Sequence, residues 1–179
     1  MIRMRNVGIV LLLCLFGFAG CSVTNGNWRR KEKFTRTVEL TAAMDVGSTL
    51  KVNTTNGFVT AKGIQTDTCS VTATITGRAR KIERAQELAE RTQVKLKPDE
   101  EGLIAYIHYP QRKKWEFVSI SFDITVPNES SLVATTTNGN MTADSLNGNV
   151  KIRTTNGNVK MDQILADHNR AQATNGNVT

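Results

Sequence analysis

The chain has 179 residues, with 23 Lys+Arg against 16 Asp+Glu for a net charge of +7, three Cys, two His and only 6% aromatic residues. Its 23 Thr and 15 Asn favour strands and turns, which excludes an all-helical protein. A charged fraction of 22% and well-spread Val, Ile and Leu argue against disorder, and no apolar run reaches the 18 residues needed to span a bilayer.

Residues 1–20 read as an export signal: Arg3 and Arg5 form its basic region, and residues 7–19 form an apolar stretch too short for a transmembrane helix. Phe18-Ala19-Gly20-Cys21 resembles the lipobox of bacterial lipoproteins, with Phe18 where Leu is usual. That resemblance implies that Cys21 becomes the acylated first residue of the mature chain. Three acyl chains give stable anchoring where one does not, so the protein is expected to be anchored to a membrane and not to span it. Ser22, standing where Asp would retain a Gram-negative lipoprotein at the inner membrane, points to the outer membrane.

Residues 21–34 are expected to form a lipidated tether, and the run Arg29-Arg30-Lys31-Glu32-Lys33 within it is able to meet anionic headgroups. Cys14 leaves with the signal and Cys21 is acylated, so Cys69 has no partner and a disulfide framework is excluded. Residues 69–75 alternate, with odd positions apolar, which makes Cys69 a packed, inert thiol.

Residues 35–128 read as a strand-rich segment. Strands are expected around Val38 and Leu40, around Leu50 and Val52, and over 69–75. Ala79, Ile82, Ala85, Leu88 and Ala89 recur at helical spacing, which predicts one amphipathic helix over 78–92. Strands resume around Val94 and Leu96 and at 103–109, and the longest, with Val118, Ile120, Phe122, Ile124 and Val126 on one face, ends at Pro127.

Residues 129–179 carry repeats. Asn-Gly occurs at Asn25, Asn56-Gly57, Asn138-Gly139, Asn147-Gly148, Asn156-Gly157 and Asn175-Gly176, with spacings of nine, nine and nineteen from 138 onward. Aligned on these turns, the copies share apolar residues six and four before the Asn and three, five and eight after it. They are Leu50, Val52, Val59, Ala61 and Ile64, then Leu132, Ala134, Met141, Ala143 and Leu146, then Val150, Ile152, Val159, Met161 and Ile164. Asn-Gly between alternating strands is a strong hairpin signal, since both residues accept the positive φ of a type I′ turn, and an antiparallel meander is one reading. The close repeat, with Asn147-Gly148 midway, favours the other: a parallel β-solenoid whose Thr and Asn residues stack in ladders. The strand at Val178-Thr179 lacks a polar cap, so further coils are expected beyond Thr179.

These residues, together with Ile124-Thr125-Val126-Pro127 and the Thr-Thr-Asn-Gly-Asn copies, resemble a bacterial "putative adhesin" family of β-strand-repeat proteins, formerly a domain of unknown function. The likeness covers residues 35–179. It implies a parallel β-solenoid preceded by a strand-rich segment with one helix, and no defined catalytic residues.

Chemistry has few footholds in the sequence. His108 and His168 stand far apart, so neither zinc spacing nor a local nucleophile motif is present, and an enzyme is not expected, a glycan-acting one included. No cofactor is expected. Asp144 and Asp162 hold the same repeat position and are weak candidates for calcium, opposed by Lys62 in the first copy. Arg112, Lys113 and Lys114 lie between Tyr109 and Trp115, a mixture suited to anionic lipid or polysaccharide; nucleic acid is not an expected partner for an exported protein. The sequence thus points to a non-enzymatic, lipid-anchored protein of the bacterial cell envelope. Its repeats would bind envelope polysaccharide or protein, or serve an inward-facing periplasmic accessory role.

Overall fold

The computed structural model describes residues 31–166 and 168–179; the expected signal, the lipobox cysteine Cys21 and the Asn25-Gly26 turn lie outside them. Twelve strands and one helix occur among the described residues: β1 (Glu32–Ala43), β2 (Thr49–Asn53), β3 (Val59–Ile64), β4 (Thr68–Ala79), α1 (Ile82–Arg91), β5 (Gln93–Asp99), β6 (Gly102–His108), β7 (Phe117–Pro127), β8 (Ser131–Asn138), β9 (Met141–Asp144), β10 (Val150–Asn156), β11 (Val159–Asp162) and β12 (Arg170–Asn175). The fold is mainly β. Two mixed six-stranded sheets, neither closed on itself, run β1-β4-β7-β3-β9-β11 and β12-β10-β8-β2-β6-β5.

Period-two alternation builds the core. Cys69, Val71, Ala73, Ile75 and Ala79 of β4 are all buried, as are Val118, Ile120, Phe122, Ile124 and Val126 of β7. One hydrophobic cluster joins these rows to Leu50, Val52, Leu132, Ala134, Val150 and Ile152 of the other sheet. Each fully buried Leu, Ile or Phe contributes about 1.5–3 kcal/mol, so this shared interior holds the sheets together.

The sheets mix two pairing modes. Antiparallel ladders join β1 to β4, β4 to β7 and β5 to β6. The repeat copies pair in parallel and in register: β2 with β8, β8 with β10 and β10 with β12 in one sheet, β3 with β9 and β9 with β11 in the other. Strands before and after Asn56, Asn138 and Asn156 belong to different sheets, so each Asn-Gly carries the chain from one sheet to the other. The glycines there take φ of 135 to 157° while the asparagines are not among the positive-φ residues, so these corners are not the type I′ turns that the dipeptide suggests. The first copy lies beside the later ones: β2 sits between β8 and β6, and β3 between β9 and β7. The sheets therefore run without a break past residue 128.

Two boundaries differ from the sequence expectation. β1 begins at Glu32, inside the expected 21–34 tether, because Glu32, Lys33 and Phe34 extend the ladder to Ala79, Arg78 and Gly77. The helix begins at Ile82, not 78, because Arg78 and Ala79 complete β4 in that same ladder. Ala79 satisfies both the helical period and the alternation, and pairing with β1 decides between them.

The helix buries Ala85, Leu88 and Ala89 and packs on β4 and β1. A Cβ at Gly77 would stand 2.1 Å from the carbonyl oxygen of Ala85, so glycine is what permits this approach. Arg36 of β1 closes the far end of α1, its Nε donating to Ala89 O at 2.8 Å and its Nη2 to Thr92 O at 2.6 Å.

Candidate functional site

The in-register pairing stacks the repeat asparagines at one corner of the two sheets. Asn138 Nδ2 donates to Asn56 Oδ1 at 2.8 Å, Asn156 Nδ2 to Asn138 Oδ1 at 2.8 Å, and Asn175 Nδ2 to Asn156 Oδ1 at 2.7 Å. A second column lies two residues on, where the backbone N–H of Asn158 donates to Asn140 Oδ1 and that of Asn177 to Asn158 Oδ1, both at 2.9 Å. In the first copy this position is Phe58, which is exposed and whose N–H turns to Ser121 Oγ at 3.2 Å. Thr55, Thr137, Thr155 and Thr174, one before each ladder asparagine, are also exposed. Neighbouring strands stand about 4.8 Å apart, so the corner repeats an amide and a hydroxyl at that interval.

Glycine makes the corner possible. A Cβ at Gly57 would stand 2.0 Å from Ile120 O, at Gly139 1.9 Å from Gly57 O, at Gly157 2.2 Å from Gly139 O and at Gly176 1.9 Å from Gly157 O. Each glycine thus lies directly on the backbone of its neighbour. Behind this column Thr54, Thr136 and Thr154, two before the first three ladder asparagines, are buried: Thr154 donates to Gly139 O at 3.1 Å and Thr54 reaches Ile120 O at 3.4 Å, while the Thr136 hydroxyl has no partner among the described residues. Such bonds contribute about 0.5–1.5 kcal/mol each, and the repeated amide bonds of the asparagine column make the corner a rigid surface.

The opposite corner is less regular. Asn147 and Gly148 lie there, Asn147 N–H donating to Asn128 O at 2.6 Å, but the Asn147 side chain joins no ladder among the described residues. Ser145 and Gln163 hold φ of 56° and 49°, and Ser145 Oγ lies 3.2 Å from Gln163 Oε1. Asp144 and Asp162 are register partners, as their shared repeat position requires. Each already has a lysine: Lys62 Nζ is 3.9 Å from Asp144 and Lys160 Nζ 3.3 Å from Asp162. Among the described residues no three His, Cys, Asp or Glu converge as metal ligands.

Other expected positions fall apart in space or are packed away. His108 ends β6 while His168 precedes β12, towards opposite edges of one sheet. Cys69 is fully buried, and burial pushes its thiol up to about 12, which keeps it protonated and unreactive. Arg112, Lys113 and Lys114 are exposed on the loop before β7.

One polar site has no signal in the linear sequence. Glu116 is buried, yet Arg84 of α1 grips it with Nε at 3.1 Å and Nη2 at 2.9 Å, and the Lys113 N–H donates to it at 2.9 Å. The Arg84 guanidinium, aided by the Lys113 N–H, holds the Glu116 carboxyl below its usual range. These partners are 32 residues apart, and only the packing of α1 beside the loop brings them together.

No family model matches the chain, and no curated protein matches it. Among solved structures it is similar to a "putative cell adhesion protein" of Clostridium sporogenes, at 12% identity and a TM-score of 0.46, over 75% of this chain and 62% of that one. It is also similar to a "putative adhesin" of Parabacteroides distasonis, at 10% identity and a TM-score of 0.31, over 80% and 77% of the two chains. A "putative lipid binding protein" of the same organism gives 10% identity and a TM-score of 0.32, over 76% and 61%. The chain thus spans less than two thirds of the first of these. At such identities and scores the functional reading rests on the chain's own geometry.

Proposed function

We propose that this chain is a non-enzymatic cell-envelope protein, anchored through acylated Cys21, whose repeats form a parallel β-solenoid with an adhesin-like binding face. The observation that carries the reading is the unbroken stack of Asn56, Asn138, Asn156 and Asn175 in register on parallel strands. The groups at that face are amides bonded to one another beside the exposed hydroxyls of Thr55, Thr137, Thr155 and Thr174, which suits many weak contacts to polysaccharide or protein and not proton transfer. Outer-membrane attachment follows from Ser22 after the cysteine.

A second reading, an inward-facing accessory module, is favoured by β5, which pairs only with β6 among the described residues and offers main-chain donors and acceptors to a partner's strand. Protease treatment of intact cells separates the two. Cleavage of the mature protein while a periplasmic control survives supports a surface binder, whereas protection lost on opening the outer membrane supports the inward-facing module. The mass of the mature N-terminal peptide tests the anchor: an unmodified Cys21, or a chain still carrying residues 1–20, would refute it.

A further inference from the structure

Three cationic segments far apart in sequence meet at one end of the fold. The antiparallel ladders set Lys33 beside Arg78 and Arg78 beside Phe117, on the adjoining ends of β1, β4 and β7. Lys31 Nζ lies 3.8 Å from the centre of the Phe117 ring, and Arg80 and Lys113 stand 4.8 and 5.7 Å from that of Trp115. Over 31–33, 78–83 and 111–117 eight Lys and Arg are exposed against two exposed carboxylates, Glu32 and Glu83, because Glu116 is buried on Arg84. Setting aside the four arginines at 3, 5, 29 and 30 from the chain's +7 leaves +3 on residues 31–179. This end holds +6, so the remainder of the body is −3.

Apolar groups share the patch: Ile82 and Phe117 are 41% and 42% exposed. Lys81 occupies the N-cap of α1 with no side-chain capping bond, where a cation opposes the helix dipole and Ser or Asp would stabilise the helix. Folding stability does not account for a lysine there.

We infer that this end of the fold is a membrane-docking face that binds anionic phospholipid headgroups, with Phe117 and Ile82 reaching the interface. Charge complementarity supplies the attraction, and aromatic rings beside cations match the mixed polarity of the headgroup layer. The orientation rests on the Cys21 anchor proposed above: Lys31 lies ten positions after Cys21, so this end stays within roughly 35 Å of the bilayer even with the tether fully extended. The grip of half-buried Arg84 on buried Glu116 fixes the cationic loop against α1, so the face is preformed.

The test uses the purified mature chain, residues 21–179 with Cys21→Ser, which carries neither the export signal nor the acyl anchor, so docking and anchoring fail separately. Flotation with phosphatidylcholine vesicles, with and without phosphatidylglycerol, is compared for this chain and two charge-reversed derivatives. One carries Arg80→Glu, Lys113→Glu and Lys114→Glu; the other, a control of equal charge change on the opposite sheet, carries Lys95→Glu, Lys151→Glu and Arg153→Glu. Binding should require phosphatidylglycerol, weaken with salt, fall at least about tenfold in the first derivative and persist in the second. Equal loss in both derivatives, or no loss in the first, overturns the proposal. Should the first derivative fail to fold, brominated phosphatidylglycerol is added to a Trp28→Phe chain instead. Quenching of Trp115 supports the face, and flotation without quenching refutes it. Equal affinity for a soluble anionic polysaccharide, with no gain from the bilayer, also refutes it.

Discussion

Gly57 shows how one residue type supports the whole stack. Its φ is 135°, and a Cβ there would stand 2.0 Å from Ile120 O, a backbone atom that has no means of yielding without moving β7. Gly47 makes a useful contrast, because its φ of 81° is left-handed but nothing lies within 4 Å. Gly47→Ala should therefore cost about 1–2 kcal/mol from backbone strain alone, while Gly57→Ala adds overpacking and should cost about 2–4 kcal/mol. Urea midpoints measure both, and equal midpoints would mean that the glycine column does not carry the packing described. The Asn-Gly motif was legible in the sequence at this position. Its reason was not, since the atom that excludes a side chain belongs to a strand more than sixty residues away.

Helix α1 lacks part of the local support that a short helix normally has. Ten residues are marginal without tertiary help, and here burial of Ala85, Leu88 and Ala89 together with the Arg36 bonds at the C-terminal end supplies it. The N-terminus has no such partner, because Lys81 contributes no side-chain bond. Lys81→Ser should stabilise the protein by about 1 kcal/mol, raising Tm by roughly 2–4 °C, and in flotation it should weaken binding to anionic vesicles. A gain in Tm with no change in vesicle binding would separate the cap from the docking face. The helical period was readable from Ile82, Ala85, Leu88 and Ala89, but its start was obscured because Ala79 belongs equally to the alternation of β4.

At the scale of the molecule, the Arg84–Glu116 pair ties α1 to the loop before β7 and so to the first sheet. The folded-state value of Glu116 lies below the ordinary 4.5, so its contribution is complete above that value and is lost as pH falls through the lower, folded one. Stability should accordingly hold from neutral pH down to about 5 and decline on further acidification. Glu116→Gln should be about 2–4 kcal/mol less stable at neutral pH, since it leaves Arg84 without its buried partner, and should lose less on acidification. Thermal melts across this range test the linkage: parallel pH profiles for the two proteins would remove Glu116 from it.

By itself the sequence determined the alternation that buries one face of each strand, the period of the repeats, the burial of Cys69 and the presence of one helix. All of these depend on neighbours a few residues apart, where the geometry of a strand or helix turn is constant. Tertiary structure alone decided which strands became neighbours. Whether Asn56 met Asn138 across parallel strands or turned back into a hairpin, whether Arg78 and Ala79 ended a strand or began a helix, and whether Lys33, Arg78 and Phe117 shared one end depended on pairings 39 to 82 residues apart in the chain. Those pairings follow from burying all the apolar rows in one interior at once, a condition on the whole chain that no local window contains.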